Sequence, residues 1–332
     1  MKKTRKKFSF AELYSKFGVV TILIVVFIIA SLLSGNFLKP ANLTNVLRQI
    51  VVVTVIGCGA CFVLITAQIN IAYDSLIACV GCTSCLVMIS TGSVLLAVIV
   101  GIFLGALIGL FYGFCVAKLS MPGFIVGLAI DTIASGAILL ATNGNPISGL
   151  GKFTVIGQGY IGFVPISVMI MFVVLIISYV LLNMTCFGRQ VMAVGGNKQA
   201  AIASGINVDK VIILVYVYDG IMTAIAAIIF MSRLSSGQPS AGVGYAFDAI
   251  TAVVVGGVSI YGGSGNVVGT IVGAAIVGIL NNLMNLLNVT SYWQNIVSGI
   301  VILLAVLMDV MTKRASANAI KNAMADRTEK VA

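Results

Sequence analysis

The sequence predicts an all-α integral membrane protein with about ten transmembrane helices. Hydrophobic residues make up 60% of the 332 residues and charged residues only 8%. A soluble domain carries about 25% charged residues to cover its water-facing surface, so lipid surrounds most of this chain. Ten apolar runs approach the roughly 20 residues that a helix needs to cross the hydrocarbon core. The runs are 18–34, 46–66, 73–91, 94–117, 123–142, 164–184, 210–231, 247–263, 266–288 and 291–311.

The basic residues predict which side of the membrane each segment faces. If the N-terminus lies inside, ten spans place all but four of the 19 Lys and Arg residues in cytoplasmic segments, as the positive-inside rule requires. The exceptions are Lys39, Arg48, Lys152 and Arg233. We therefore expect both termini in the cytoplasm, with a basic tail at 1–17, one transmembrane domain at 18–311 and a second tail at 312–332.

Several functional classes are excluded by what the sequence lacks. It has no histidine, no Walker A phosphate loop and no Ser/His/Asp set, so we expect neither an enzyme nor a metal site in this chain. Cys79, Cys82 and Cys85 are spaced like part of an iron–sulfur ligand run, but they lie in an uncharged apolar run and are interpreted as small packing residues. No basic stripe with interleaved aromatic residues indicates nucleic-acid binding.

Glycine spacing and a repeated motif predict how the helices pack. Two glycine stripes with a period of four predict close helix–helix contact. They are Gly101, Gly105, Gly109 and Gly113 in the fourth span, and Gly265, Gly269 and Gly273 in the ninth. The motif AYDSLIA at 72–78 is similar to AFDAITA at 246–252. We interpret spans 2–5 and 7–10 as an inverted repeat, which is typical of transporters with a substrate path at the repeat interface.

Four carboxylates fall inside apolar runs, where ionisable groups are costly and usually face a cavity or a partner. They are Asp74, Asp131, Asp219 and Asp248. Asp74 and Asp248 lie near the starts of their spans and could instead favour the positive end of a helix dipole. Further candidates for a substrate path are planar polar and aromatic side chains, with interhelical hydrogen bonding as the alternative. They are Gln68, Asn70, Tyr73, Asn143, Asn145, Tyr245 and Phe247.

The segment 188–209, GRQVMAVGGNKQAAIASGINVD, is far more polar than its surroundings. Within it, Asn197 can cap a short helix that runs to Ser204 and is ended by Gly205. A short helix parallel to the membrane suits docking onto a cytoplasmic partner. The alternative is a plain solvated loop.

Several spaced motifs resemble the ribose-type sugar permeases of bacterial ABC importers. They are Gly188-Arg189, AVGGN (193–197), AAIASGI (200–206), YAFDAITAVVVGGVSIYGG (245–263), GNVVGTIVGAAIVGILNNLMNLL (265–287), SYWQNIVSGIVILLAV (291–306) and NFLKPANLTNVLRQI (36–50). The resemblance covers most of the chain and is densest from 188 to 310. Two stretches depart from the family pattern. Residues 67–75 read AQINIAYDS, with Asn70 at the usual acid and a new acid at Asp74, and residues 246–248 read AFD.

The resemblance implies a permease of the bacterial inner membrane that forms a homodimer, or a heterodimer with a similar chain, around a central path for a small sugar. A separate ATPase, with tandem domains, would bind ATP and Mg²⁺, and an extracytoplasmic binding protein would deliver the sugar. The loop at 185–209 would contain the coupling helix. Its residues are Gly188, Arg189, Gly195, Gly196, Asn197, Ala200, Ala201, Ser204 and Gly205.

Two other transport classes stay open at this point. One is an ion-coupled secondary transporter with Asp131 or Asp219 as the ion site. The other is an ABC permease for another small polar solute, such as a branched-chain amino acid.

Overall fold

Helices make up almost all of the chain that the structure describes. The computed structural model describes residues 10–311, apart from 291, 295, 305, 308 and 309, and only the backbone of 10–18. The helices are α1 (Phe10–Leu33), α2 (Pro40–Ile65), α3 (Tyr73–Thr91), α4 (Val94–Ala117), α5 (Gly123–Thr142), α6 (Val155–Gln158), α7 (Ile166–Met184), α8 (Cys186–Gly196), α9 (Lys198–Ala203), α10 (Val208–Leu234), α11 (Tyr245–Val255) and α12 (Val267–Leu286). A further apolar stretch, called here the C-terminal helix, covers Tyr292–Leu304.

The predicted tails are only partly covered. Residues 1–9 and the predicted C-terminal tail at 312–332 lie outside the described residues. Helix α1 begins at Phe10, within the stretch predicted as an N-terminal tail, and its apolar part starts at Val19.

The predicted all-helical membrane architecture is confirmed in outline. Seven helices of the described chain are long and apolar enough to cross a membrane: α2, α3, α4, α5, α7, α10 and α12. Three shorter apolar helices, over Val19–Leu33, Tyr245–Val255 and Tyr292–Leu304, overlap the three remaining predicted runs. The count of ten crossings and the inverted repeat stay predictions.

Local chemistry sets the helix ends where they differ from the predicted runs. Helix α2 begins before residue 46, because Pro40 stands in its first turn, where a missing N–H costs no hydrogen bond. Helix α11 ends at Val255 rather than 263, because Gly257 adopts a left-handed conformation with φ of 89°. The Ser93 side chain accepts a hydrogen bond from the Leu96 N–H (3.3 Å) and so starts α4.

A small β-hairpin is the one sheet in the described chain, and the sequence analysis did not predict it. Tyr160–Ile161 (β1) pairs antiparallel with Val164–Pro165 (β2), and Gly162 in the turn has φ of 63°. Because Val164 and Pro165 belong to β2, helix α7 begins at Ile166 rather than at the predicted 164.

Helices α2 and α10 form the centre of the molecule. Of the most apolar window of α2, 89% is buried, against 67% for α10 and 22% for α4. Helix α2 contacts α7, α10, α11 and α12, while the outer faces of α4, α5 and α7 remain exposed apolar surface. An exposed apolar belt around a buried central pair is the arrangement expected of a protein whose solvent is lipid.

Both predicted glycine stripes pack against a neighbouring helix, which confirms their interpretation. A Cβ atom on Gly105 would overlap the carbonyl oxygen of Gly220, and one on Gly109 would overlap that of Tyr216, so α4 lies directly on the α10 backbone. In the second stripe, Gly273 lies on the carbonyl oxygen of Ala252 in α11. Only glycine permits such backbone contact.

Candidate functional site

A cavity of about 810 Å³ lies among α2, α3, α10, α11, α12 and the C-terminal helix. Its lining combines carboxylate, guanidinium, amide, hydroxyl and aromatic groups. These polar and aromatic residues are Gln49, Asp74, Phe230, Arg233, Tyr245, Phe247, Asp248, Asn281, Asn285, Gln294 and Ser298. Four of the sequence-predicted path residues, Asp74, Tyr245, Phe247 and Asp248, are therefore brought together here.

Helix α11 forms one wall of this cavity because of the glycine-rich turn before it. Gly242 and Gly244 have φ of 128° and 95°, so the chain reverses and α11 begins at Tyr245. The Tyr245 ring packs edge-on against Phe230, with 5.0 Å between ring centroids. Phe247 remains 58% exposed and presents a free aromatic face to the cavity.

Asp74 joins the beginnings of α3 and α11. Its Oδ2 accepts a hydrogen bond from the Gly244 N–H (2.8 Å), and its Oδ1 accepts one from the Ala246 N–H (2.7 Å). Both oxygens thus bind the free N–H groups at the start of α11, where the helix dipole favours negative charge. The structure thus places Asp74 at a helix start, but its side chain caps α11 and not, as the sequence had suggested, its own helix.

Asp131, on α5, also accepts a backbone hydrogen bond at the start of another helix, in this case α3. Its Oδ1 accepts a hydrogen bond of 3.3 Å from the Ser75 N–H, in the first turn of α3. Asp131 is half-buried on α5 and does not line the cavity.

Asp219 lies in a closed polar cluster, away from the cavity. Its Oδ2 accepts from Asn70 Nδ2 (2.7 Å) and its Oδ1 accepts from the Tyr73 hydroxyl (2.9 Å). Asp219 and Tyr73 are each 1% exposed, and Asn70 is 3% exposed. The cluster ties the irregular segment between α2 and α3 to the middle of α10. For Asn70 and Tyr73 these bonds are the predicted alternative to a path role, and for Asp219 they are the partners that a carboxylate in an apolar run requires.

The remaining predicted path residues also lie outside the cavity lining. Gln68 is half-buried in the segment before α3, with its Oε1 beside Gly123 at the start of α5. Asn143 ends α5 with φ of 51°, and the Asn145 N–H donates to the Thr142 carbonyl in the following turn.

The polar segment after α7 folds into two short helices, α8 and α9. Asn197 caps α9 as predicted, since its Oδ1 accepts a 3.0 Å hydrogen bond from the Ala200 N–H. The helix stops at Ala203, and Gly205 follows with φ of 80°. Helix α8 was not predicted; its signal was Thr185, whose hydroxyl accepts from the Gly188 N–H at 3.2 Å.

One face of this segment packs against the rest of the protein, and the other face is exposed. Gly188 and Ala201 are buried, and a Cβ on Gly195 would overlap the Ile65 carbonyl oxygen at the end of α2. The same carbonyl accepts a 2.9 Å hydrogen bond from the Gly263 N–H. The exposed face contains Arg189, Gly196, Asn197, Lys198, Ala200, Ile202, Ser204 and Gly205.

Sequence reasoning missed the cavity residues that come from other helices. Gln49, Asn281 and Asn285 lie in apolar runs and line the cavity. An amide side chain in an apolar run is costly to bury, as a carboxylate is, so the same reasoning could have predicted these residues. Arg233 lines the cavity too. The sequence marked it only as one of the four basic residues outside the predicted cytoplasmic segments.

Comparison with known proteins decides the class of transporter. The family described as "Branched-chain amino acid transport system / permease component" matches residues 42–306. The chain belongs to this permease family. The ribose import permease protein RbsC of Bacillus subtilis (strain 168) is 40% identical to this permease over 308 residues, which are 92% of this chain and 96% of that one.

Two other relatives have a similar extent. RbsC of Escherichia coli (strain K12) is 40% identical over 310 residues, or 92% of this permease and 96% of the relative. The L-arabinose transport system permease protein AraH of the same strain is 34% identical over 313 residues, covering 94% and 95%. No solved structure matches this permease. The chain is thus a multi-pass transport subunit rather than an enzyme.

Proposed function

We propose that this permease forms the translocation path for a ribose-like monosaccharide in an ABC importer. The observation that carries the proposal is the 40% identity to ribose import permeases over 92% of the chain. The cavity supports it. Two carboxylates, a guanidinium, several amides and an exposed phenyl ring, Phe247, suit a solute rich in hydroxyl groups.

Two observations favour a sugar permease over the alternative classes. Relatives at 40% and 34% identity are named as ribose and L-arabinose permeases, which favours a sugar over a branched-chain amino acid. An ion-coupled transporter needs an accessible ion site, but Asp219 is enclosed with Asn70 and Tyr73 in a buried cluster, and Asp131 does not line the cavity. We therefore propose coupling to a separate ATPase, through the loop at 185–209.

The proposed topology is ten crossings with both termini in the cytoplasm of a bacterial cell. It places the end of α4 and the start of α10 on one side, and Lys118 Nζ forms a 2.8 Å ion pair with Asp209 Oδ2 between them. It places the loops after α5 and α10 on the opposite side, where Ile147 and Gly237 form an isolated β-bridge. Both contacts support a topology in which successive spans cross the membrane in opposite directions. The inverted repeat of spans 2–5 and 7–10 is proposed together with this topology.

A native cysteine can test the orientation. Of the seven cysteines, Cys186 at the start of α8 is exposed, whereas the other six are buried or half-buried. We expect a membrane-impermeant maleimide to label the protein in inverted membrane vesicles and not in intact spheroplasts. The variant Cys186→Ser is the control and should lose the labelling. Labelling from the outside would place the loop at 185–209 on the external face and contradict the topology.

The proposed assembly contains two permease chains, identical or similar, within membrane lipid. An ATPase with tandem domains would dock on the exposed face of α8 and α9 and would hold ATP and Mg²⁺. An extracytoplasmic sugar-binding protein would dock on the opposite face. Asn197, Ala200 and Ile202 lie on the free side of α9, and Ile202 is 52% exposed, as expected of a contact surface.

Reconstituted transport tests the function and the docking face together. With the ATPase and the binding protein present, the permease should take up D-ribose into proteoliposomes only when ATP is supplied. Replacing the exposed Ala200 by Arg should leave folding intact and lower uptake by roughly tenfold or more, because a bulky charge at an interface core costs more than about 1.4 kcal/mol.

The matched control is Ser90→Arg. Ser90 is exposed in the last turn of α3, where a basic residue complements the helix dipole, and uptake should stay near normal. Normal uptake in Ala200→Arg would contradict the docking face. Uptake driven by an ion gradient without the ATPase would contradict the ABC assignment.

A further inference from the structure

The two carboxylates that line the cavity differ in how many of their oxygens are occupied. Both oxygens of Asp74 already accept a backbone hydrogen bond, Oδ1 from Ala246 and Oδ2 from Gly244. Asp248 accepts one hydrogen bond, of 2.8 Å, from Asn281 Nδ2 to its Oδ2. No group in the described part of the chain donates to Asp248 Oδ1. Asp74 therefore holds α11 through both oxygens, whereas Asp248 has one oxygen, Oδ1, with no donor among the described residues.

Another acceptor at the same cavity lacks a donor in the described chain. Gln49 Oε1 is buried and has no hydrogen-bond partner among the described residues. A buried acceptor without a partner costs about 1–3 kcal/mol, so this oxygen favours a solute that supplies O–H donors.

Asn281 fixes where the free oxygen of Asp248 points. It lies on α12, whereas Asp248 lies in the first turn of α11, so the hydrogen bond joins the two helices. Phe247, next to Asp248, presents its exposed ring to the same space. An oriented carboxylate oxygen beside an aromatic face is suited to a sugar, with a hydroxyl on the oxygen and C–H groups on the ring.

We propose that Asp248 is the specificity-determining residue of this cavity, with Asn281 as its positioning residue. Its free oxygen accepts a hydroxyl hydrogen bond from a neutral sugar, and its charge repels the corresponding sugar acid. This inference rests on the proposed function. Asp74, although it lines the same cavity and carries the same charge, acts on α11 and not on the solute.

Direct binding to the permease–ATPase complex in nanodiscs can test this without the binding protein. D-ribose and D-ribonate are the two probes, and affinity is measured by saturation-transfer NMR. For Asp248→Asn, we expect ribose to bind about tenfold more weakly, which is the difference between a charge-assisted and a neutral hydrogen bond. Ribonate should bind more tightly, because one of the two carboxylates that repel it is gone while the Arg233 guanidinium still lines the cavity. Opposite changes for two probes cannot result from a general loss of structure.

Two further variants separate positioning from direct contact. Asn281→Ala should weaken ribose binding by less than Asp248→Asn does, and the double variant should be no weaker than Asp248→Asn alone, because Asn281 acts through Asp248. Asp248→Glu retains the charge and should keep ribonate excluded.

The outcomes distinguish this inference from the function on which it rests. If the wild-type complex neither binds nor transports ribose, the proposed function fails. If wild-type binding is normal but Asp248→Asn leaves both affinities unchanged, or changes both in the same direction, the role of Asp248 is wrong while the proposed function stands.

Discussion

Replacing Gly109 by valine should strongly destabilise the permease. The Cβ of any larger residue here would overlap the Tyr216 carbonyl oxygen, and the neighbouring Val217 Cα lies only 3.0 Å from its position. These are backbone atoms of the central helix α10, so they cannot move aside as a flexible side chain can. We expect a loss of about 3 kcal/mol in the free energy of unfolding, the upper part of the usual range for overpacking.

The measurement is the yield of monodisperse protein after extraction, together with its thermal midpoint. Gly136→Val is the matched control, since Gly136 lies in the apolar helix α5 and nothing lies within 4 Å of its missing Cβ. The control should behave like the wild type. Equal yields and midpoints for the two variants would show that α4 and α10 do not pack as closely as the structure indicates.

Short-range features of this fold could be predicted from the sequence, because lipid imposes a simple rule on composition. Each predicted apolar run carries a helix, since backbone groups in a membrane must bond within their own segment. The cap at Asn197 and the stop at Gly205 were also predictable, because both depend on residues within one helical turn. The glycine stripe of α4 predicted a close neighbour, but not that the neighbour is α10.

Contacts between residues far apart in the chain determine the side-chain roles that the sequence could not predict. Asp219 and Asp248 carry the same signal, a carboxylate in an apolar run, yet one is closed in and the other faces a cavity. The difference comes from Asn70 and Tyr73, which are far away in the chain and reach Asp219 only because α3 packs on α10. Asp74 likewise caps α11, from the other half of the chain. The hairpin at β1 and β2 had no periodic signal, being only two residues per strand.

Removing the carboxyl group of Asp219 should be the most damaging single polar change in the described chain. Asp219→Ala leaves the Asn70 amide and the Tyr73 hydroxyl without their acceptor, inside a cluster that is at most 3% exposed. Each buried donor left unpaired costs about 1–3 kcal/mol, so we expect a loss of roughly 3 kcal/mol or more. Asn70 also accepts from the Ala72 N–H at 2.9 Å, so its displacement should loosen the start of α3.

Thermal unfolding of the purified permease measures this loss, and Asp209→Ala is the control on the same helix. Asp209 pairs with Lys118 at an exposed site, where a salt bridge contributes less than about 1 kcal/mol. Interhelical hydrogen bonds in membrane proteins average only about 0.6 kcal/mol each, because the unfolded chain also finds partners in the bilayer. If the two Asp219 bonds were of that kind, the loss would be near 1 kcal/mol and the two variants would unfold alike. A clearly larger loss for Asp219→Ala would show that the cluster locks the segment between α2 and α3 onto α10, because an ordinary pair of interhelical bonds is too weak to account for it.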